Sequence, residues 1–152
     1  MSDLYPVSPV MVATRVSAHP DQVFRYVADT RNDPEWCPNV TDVRLVEGAG
    51  VELGTRFEFH QRVEAKGREL TSDVTVEIVD LGERHIRWRV EDRFQVRDVL
   101  LRVESDEGGS KVIQITTAAF KRKPGLARWL YPMLARRTFK DQFRHLSDRF
   151  AP

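Results

Sequence analysis

Alternation of apolar and polar positions dominates the first 120 residues of the chain, and a longer period replaces it afterwards. Met11 to Ser17 alternates and is rich in β-branched residues, so it reads as a strand. Ala18-His19-Pro20-Asp21 breaks it, and Pro20 suits the first turn of a helix over about 20–30 with Val23, Phe24, Val27 and Ala28 buried. Asn32 to Pro38, punctuated by two prolines, reads as a short second helix or turn with Trp36 folded inward. Strand patterns then recur over Val40–Glu47, Thr55–Ala65, Arg68–Val79, His85–Glu91, Phe94–Glu104 and Ser110–Phe120. The linkers between them are short and carry turn residues, which implies antiparallel hairpins.

From Pro124 to Phe150 an apolar comb runs through Leu126, Trp129, Leu130, Met133, Leu134, Phe139, Phe143, Leu146 and Phe150. Its later spacings of four, three and four match the helical period of about 3.6 residues. At about 1.5 Å per residue the helix extends roughly 40 Å, enough to lie across a whole sheet. Pro132 removes one backbone bond and is expected to kink or break it. The order of elements is α+β: one antiparallel sheet with a helix over one face. A helix laid on a concave sheet leaves room for a cavity between the layers.

Strand parity selects the residues facing that cavity. Phe57, Phe59, Gln61 and Val63 share one face. Leu70, Ser72, Val74, Val76 and Ile78 follow on the next strand, then Ile86, Trp88 and Val90. Gln95, Arg97, Val99, Leu101 and Val103 form the next inward set. On the last strand Val112, Gln114, Thr116 and Ala118 are chosen, with Ile113, Ile115 and Thr117 the alternative if a bulge shifts the register. A row of inward polar groups on a concave face calls for water or a ligand with polar atoms. Arg97 offers a planar fork of donors to a carboxylate, phenolate or carbonyl oxygen, or else pairs with a nearby acid or sits in water at the sheet's open end.

Composition narrows the class. The 152 residues suit one domain, with residues 1–10 expected to be extended or poorly ordered. With 41% apolar and 31% charged residues the chain reads as globular and soluble. The start, Met1 to Pro6, has no basic patch followed by a hydrophobic stretch, so no signal peptide is expected. Cys37, the single cysteine, has no partner for a disulfide, and the expected location is the cytoplasm. The net charge of +1 hides an asymmetry: nine Lys/Arg against two Asp from Lys121 onward give +7, and 15 against 21 elsewhere give −6. That tail reads as the solvated face of a helix, or as a contact surface for anionic membrane. No aromatic-and-basic RNA motif accompanies it, so nucleic acid is not expected.

Chemistry-bearing motifs are sparse. His19, His60, His85 and His145 show no metal-ligand spacing, so neither metal nor cofactor is expected. Cys37 has no base beside it and reads as a buried structural thiol. No carboxylate is forced inward by parity, so no acid/base pair is named.

The segment Val16-Ser-Ala-His-Pro-Asp-Gln-Val-Phe-Arg-Tyr-Val-Ala-Asp29, continued by Asp33-Pro-Glu-Trp-Cys-Pro-Asn-Val40, resembles the opening of the START-like (SRPBCC) superfamily of polyketide cyclase/dehydrase and lipid-transport proteins. Gly108-Gly109-Ser110-Lys111-Val112 is similar to that family's Gly-Gly-Thr-x-Val hairpin, with Ser110 in place of Thr. Gly125-Leu126, Tyr131-Pro132 and Leu146 resemble its closing helix. The resemblance implies a helix-grip fold: a seven-stranded curved antiparallel sheet wrapped around a long C-terminal helix, with two short helices after the first strand. It implies binding or transport of a hydrophobic small molecule (a lipid, polyketide, quinone or similar), or alternatively a cyclase/aromatase- or dehydratase-like enzyme. The expected ligand-binding residues are Phe57, Phe59, Gln61, Trp88, Arg97, Gln114, Trp129 and Phe139. The expected partners are the small molecule and an anionic membrane surface, with the chain a monomer or homodimer.

Overall fold

A computed structural model describes residues 3–65 and 67–152. The order is β1 (Tyr5–Pro6), β2 (Val10–Val16), α1 (Pro20–Val27), a 3₁₀ turn (Thr30–Asn32), α2 (Asp33–Trp36), β3 (Val40–Glu47), β4 (Arg56–Ala65), β5 (Arg68–Leu81), β6 (His85–Glu91), β7 (Gln95–Asp106), β8 (Gly109–Phe120) and α3 (Ala127–Arg149). The strands form one antiparallel sheet in the order β1-β8-β7-β6-β5-β4-β3, with β2 also on β8. This is the helix-grip arrangement, with α3 laid across the sheet. The eighth strand, beyond the seven expected, is Tyr5–Pro6: it pairs with Phe120 and Ala119, so β1 and β2 are two pieces of one edge strand. Pro9, which has no N–H to give to a ladder, lies in the interruption.

Bulges bend the sheet. β3 shifts register against β4 between Thr41 and Arg44 and again between Leu45 and Glu47. β5 shifts against β6 between Ile78 and Asp80. Each extra residue tightens the local twist. The hairpin from β3 to β4 turns through Gly48 at φ 94°, where any Cβ would run into Thr55.

The concave face buries most of the inward parity sets, with Gln61, Gln95 and Arg97 half-buried. Phe57, Val74, Ile78, Ile86, Leu101 and Val112 are almost fully enclosed. The side chain of Val63 lies outside the described residues. Leu70 departs from its set and is exposed, because β4 and β5 run beyond the layer that covers the rest. On β8 the set chosen first, Val112, Gln114, Thr116 and Ala118, is buried.

α1 is held by its own apolar face and by a cap. Val23, Phe24 and Val27 are buried, and Nδ1 of His19 accepts from the Asp21 N–H. Asp29 caps the following 3₁₀ turn by accepting from the Arg31 backbone and guanidinium at 3.1 and 2.9 Å. That turn starts α2 at Asp33 and brings Trp36 under α3, 6.2 Å from Phe143 between ring centroids.

α3 is one continuous helix through Pro132, which falls in its second turn, so the proline does not divide it. Tyr131, Ala135, Phe139, Phe143 and Leu146 form its inward line, at steps of four and three. Leu126, Trp129, Leu130, Met133 and Leu134 do not join it. They are exposed, Leu126 by 79% and Trp129 by 77%. The comb expected to bury one face is therefore two stripes on opposite sides of the helix.

Candidate functional site

The cavity sits between the concave sheet and the inward line of α3. Phe59, Val76, Trp88 and Val99 supply its apolar sheet wall, and Phe139 closes it from α3. Thr30, Asp33, Trp36 and Cys37 supply the side formed by the 3₁₀ turn and α2. About 90 Å³ is open to water inside. That admits several waters or a ring-sized group. A larger guest requires neighbouring side chains or the first turns of α3 to move.

Six of the eight expected residues meet here. Phe59, Gln61, Trp88, Arg97, Gln114 and Phe139 all line the cavity. Phe57 lies on the same face but is wholly enclosed in the core beside it. Trp129 is a correction: it sits on the outward stripe of α3, against a shallow surface cleft with Pro6, Val7 and Arg128. Its position on the helix, well round from the Tyr131–Phe139 line, turns it to solvent.

The polar groups are unevenly satisfied. Nη2 of Arg97 donates to Oε1 of Gln61 at 3.5 Å, a weak contact, and Nε of Arg97 is buried without a partner. Arg97 lines the cavity, and among the described residues no acid pairs with it. Trp36 and Trp88 each hold an indole Nε1 with no acceptor. Leaving such a donor unpaired costs about 1–3 kcal/mol. All three belong to residues that line the cavity, though the nitrogens themselves are cut off from solvent. Gln114 Nε2 is already engaged, donating to Oγ1 of Thr116 at 3.3 Å.

Sequence parity missed Asp33. The residue opens α2, is half-buried and lines the cavity. Burial, and secondly the nearby charge of Asp29, push that carboxyl well above the usual carboxylate range, with no cation or hydrogen bond to oppose them. One turn on, Cys37 is buried, and its thiol is pushed up by the same burial and then by Asp33. It stays a thiol, without the base a nucleophile needs. Asp29 behaves in the opposite way: burial acts upward, but the hydrogen bonds and charge of Arg31 prevail and hold it low. Tyr131, above Arg97 at the first turns of α3, is raised by burial, with Arg97 working against the rise.

The remaining expected chemistry lies elsewhere. Nδ1 of His60 is 2.8 Å from Asp73 on the convex side, and His85 pairs with Asp80 at 3.2 Å. No cluster of three or more His, Cys, Asp or Glu gathers for a metal among the described residues. No described helix is long and apolar enough to cross a membrane.

Comparison with known proteins bears on this geometry. The family model described as "Polyketide cyclase / dehydrase and lipid transport" matches residues 10–151. No curated protein matches the sequence. Among solved structures, TTHA0849 from Thermus thermophilus is 18% identical at a TM-score of 0.72, over 94% of this chain and 97% of that one. Major latex-like protein 151 from Panax ginseng is 14% identical at a TM-score of 0.69, over 95% and 98%. The di-domain ARO/CYC StfQ from the steffimycin biosynthetic pathway is 16% identical at a TM-score of 0.68, over 94% of this chain and 50% of that one. At these identities the likeness is one of fold.

Proposed function

The chain belongs to the polyketide cyclase / dehydrase and lipid transport family, and from that premise we propose that it binds a hydrophobic small molecule in the cavity between sheet and α3. The observation that supports the reading is the cavity itself: an apolar lining from Phe59, Val76, Val99 and Phe139, interrupted by the polar side chains of Gln61, Arg97 and Gln114. Titration with 8-anilino-1-naphthalenesulfonate tests it. One saturable site is expected, abolished by Val99→Phe, which fills the space. Unchanged binding in a folded Val99→Phe protein refutes the assignment.

A second reading, chemistry on the guest, is favoured by Arg97. A guanidinium lining an apolar recess, held by only a weak contact to Gln61, would polarise a carbonyl oxygen and stabilise the charge that develops on it. Gln61 or Gln114 would hold a water beside it. Cyclisation depends on placement more than on strong acids. With a poly-β-ketone substrate, Arg97→Ala is expected to lower turnover by about 10²-fold. Unchanged turnover removes this reading.

Delivery of the guest at an anionic membrane completes the proposal. Leu126, Leu130, Met133, Arg137, Lys140 and Arg144 form one exposed line down α3, at steps of four and three, apolar in its first half and basic in its second. Trp129 and Leu134 flank the apolar half. An anionic bilayer accepts both halves, each Lys or Arg contributing about 1 kcal/mol near its surface. The protein is expected to sediment with phosphatidylglycerol vesicles, less so at high salt, and not with phosphatidylcholine alone. Self-association through α3 without vesicle binding assigns the face to a second copy instead.

A further inference from the structure

Arg97 and Gln61 touch although two strands of the sheet separate them. Nη2 of Arg97 donates to Oε1 of Gln61 at 3.5 Å, with Arg97 on β7, Gln61 on β4, and β6 and β5 between. At about 4.8 Å per strand, a flat sheet would hold such positions roughly 14 Å apart. The contact therefore exists because the sheet curves and both side chains lean over its concave face. On the two intervening strands Val76, Trp88 and Val90 line the cavity and are buried. Val90 pairs with Arg97 on one side and with Val76 on the other, so these residues form the floor that the contact spans. Burial falls off along both outer strands toward the pair. On β4, Phe57 and Phe59 are buried and Gln61 is half-buried; on β7, Leu101 and Val99 are buried and Arg97 and Gln95 are half-buried. Leu70, further out on β5, is exposed. Solvent thus lies at that end, and the pair stands between it and the apolar interior. The contact is at the outer limit of hydrogen-bond range, so little holds it closed.

We infer that Gln61 and Arg97 form a crossbar at the mouth of the cavity, and that its opening governs the entry of guests larger than the closed space of about 90 Å³. This rests on the ligand-binding reading above and adds the pair that regulates its site. The chain divides between a barred and an open form, and only the open form admits a long guest. A bound guest holds the bar aside, so the contact slows association and leaves dissociation alone. Removing the contact raises the association rate and the affinity by the same factor.

Stopped-flow fluorescence with N-phenyl-1-naphthylamine tests the crossbar. This probe is neutral, longer than one ring, and has no carbonyl to pair with Arg97. Gln61→Ala and Arg97→Ala are each expected to raise its association rate about fivefold, the worth of one weak hydrogen bond, with dissociation unchanged. The double variant is expected to be no faster than either single one, because the two side chains make one closure. Gln61→Glu replaces the neutral contact by an ion pair and is expected to slow association about fivefold. Circular dichroism checks that each variant folds; if Arg97→Ala does not, the two Gln61 variants decide by their opposite signs. If the probe binds but the Gln61 variants keep the parent rate, or the two Ala gains multiply, or the change falls on dissociation, the crossbar is overturned and the ligand-binding cavity survives. If the probe binds neither the parent nor Gln61→Ala, both fall together.

Discussion

The two halves of α3 are built on opposite principles. The second half is locked down: Phe143 packs against Trp36, Leu146 is wholly enclosed, and Oγ of Ser147 donates to the Arg15 carbonyl at 3.1 Å. Arg149 reaches Glu35 at 2.6 Å, and Phe150 meets Tyr26 edge-on at 5.3 Å. The first half rests on Tyr131, which meets Phe120 edge-on at 5.5 Å, while its largest apolar side chains face outward. One helix thus carries an anchor at one end and unburied apolar side chains at the other.

Mutations break that comparison most sharply at the anchored end. Phe143→Ala removes a buried ring beside Trp36 and is expected to cost about 3–5 kcal/mol in denaturant unfolding, with Leu146→Ala at about 2–5 kcal/mol. Next comes Asp33→Asn. In the folded chain the Asp33 carboxyl holds its proton to higher pH than in the unfolded chain. Stability therefore falls as pH rises from the ordinary carboxylate range up to the folded value, and above that the full penalty remains. Asp33→Asn is expected to match the parent at pH 4 and to exceed it in melting temperature at pH 7; a parallel pH profile would place the carboxyl outside the buried cavity. Arg149→Ala, at a half-exposed ion pair, is expected to cost less than about 1 kcal/mol. Trp129→Ser is the smallest: within about 0.5 kcal/mol in stability, with a clear loss of vesicle binding. A large stability loss at Trp129 would erase the distinction between the two halves.

Strand alternation makes most of the sheet legible in the sequence. The period of two places Phe57, Phe59 and Gln61, then Trp88 and Arg97, on one face, and the twisted sheet keeps that parity wherever no bulge intervenes. Helix α3 is harder, because periodicity reports that an apolar stripe exists and not which way it points. Leu130 and Met133 satisfy the same three-and-four spacing as Phe139 and Phe143, yet lie on the other side. The basic residues continuing the Leu130–Met133 line, Arg137, Lys140 and Arg144, are the available signal that this side is outward. Asp33 is invisible for a different reason. It lies where a 3₁₀ turn runs into a one-turn helix, so neither period applies to it.

The bulged outer strand β3 has one more effect. It is the free rim of the sheet, where unpaired peptide groups would otherwise recruit another chain edge to edge. Its two register breaks, the left-handed Asp42 at φ 56°, and the charges of Arg44 and Glu47 leave no straight run for a foreign strand to dock against. The same irregularities that bend the sheet therefore also blunt the edge at which strands of separate molecules would pair.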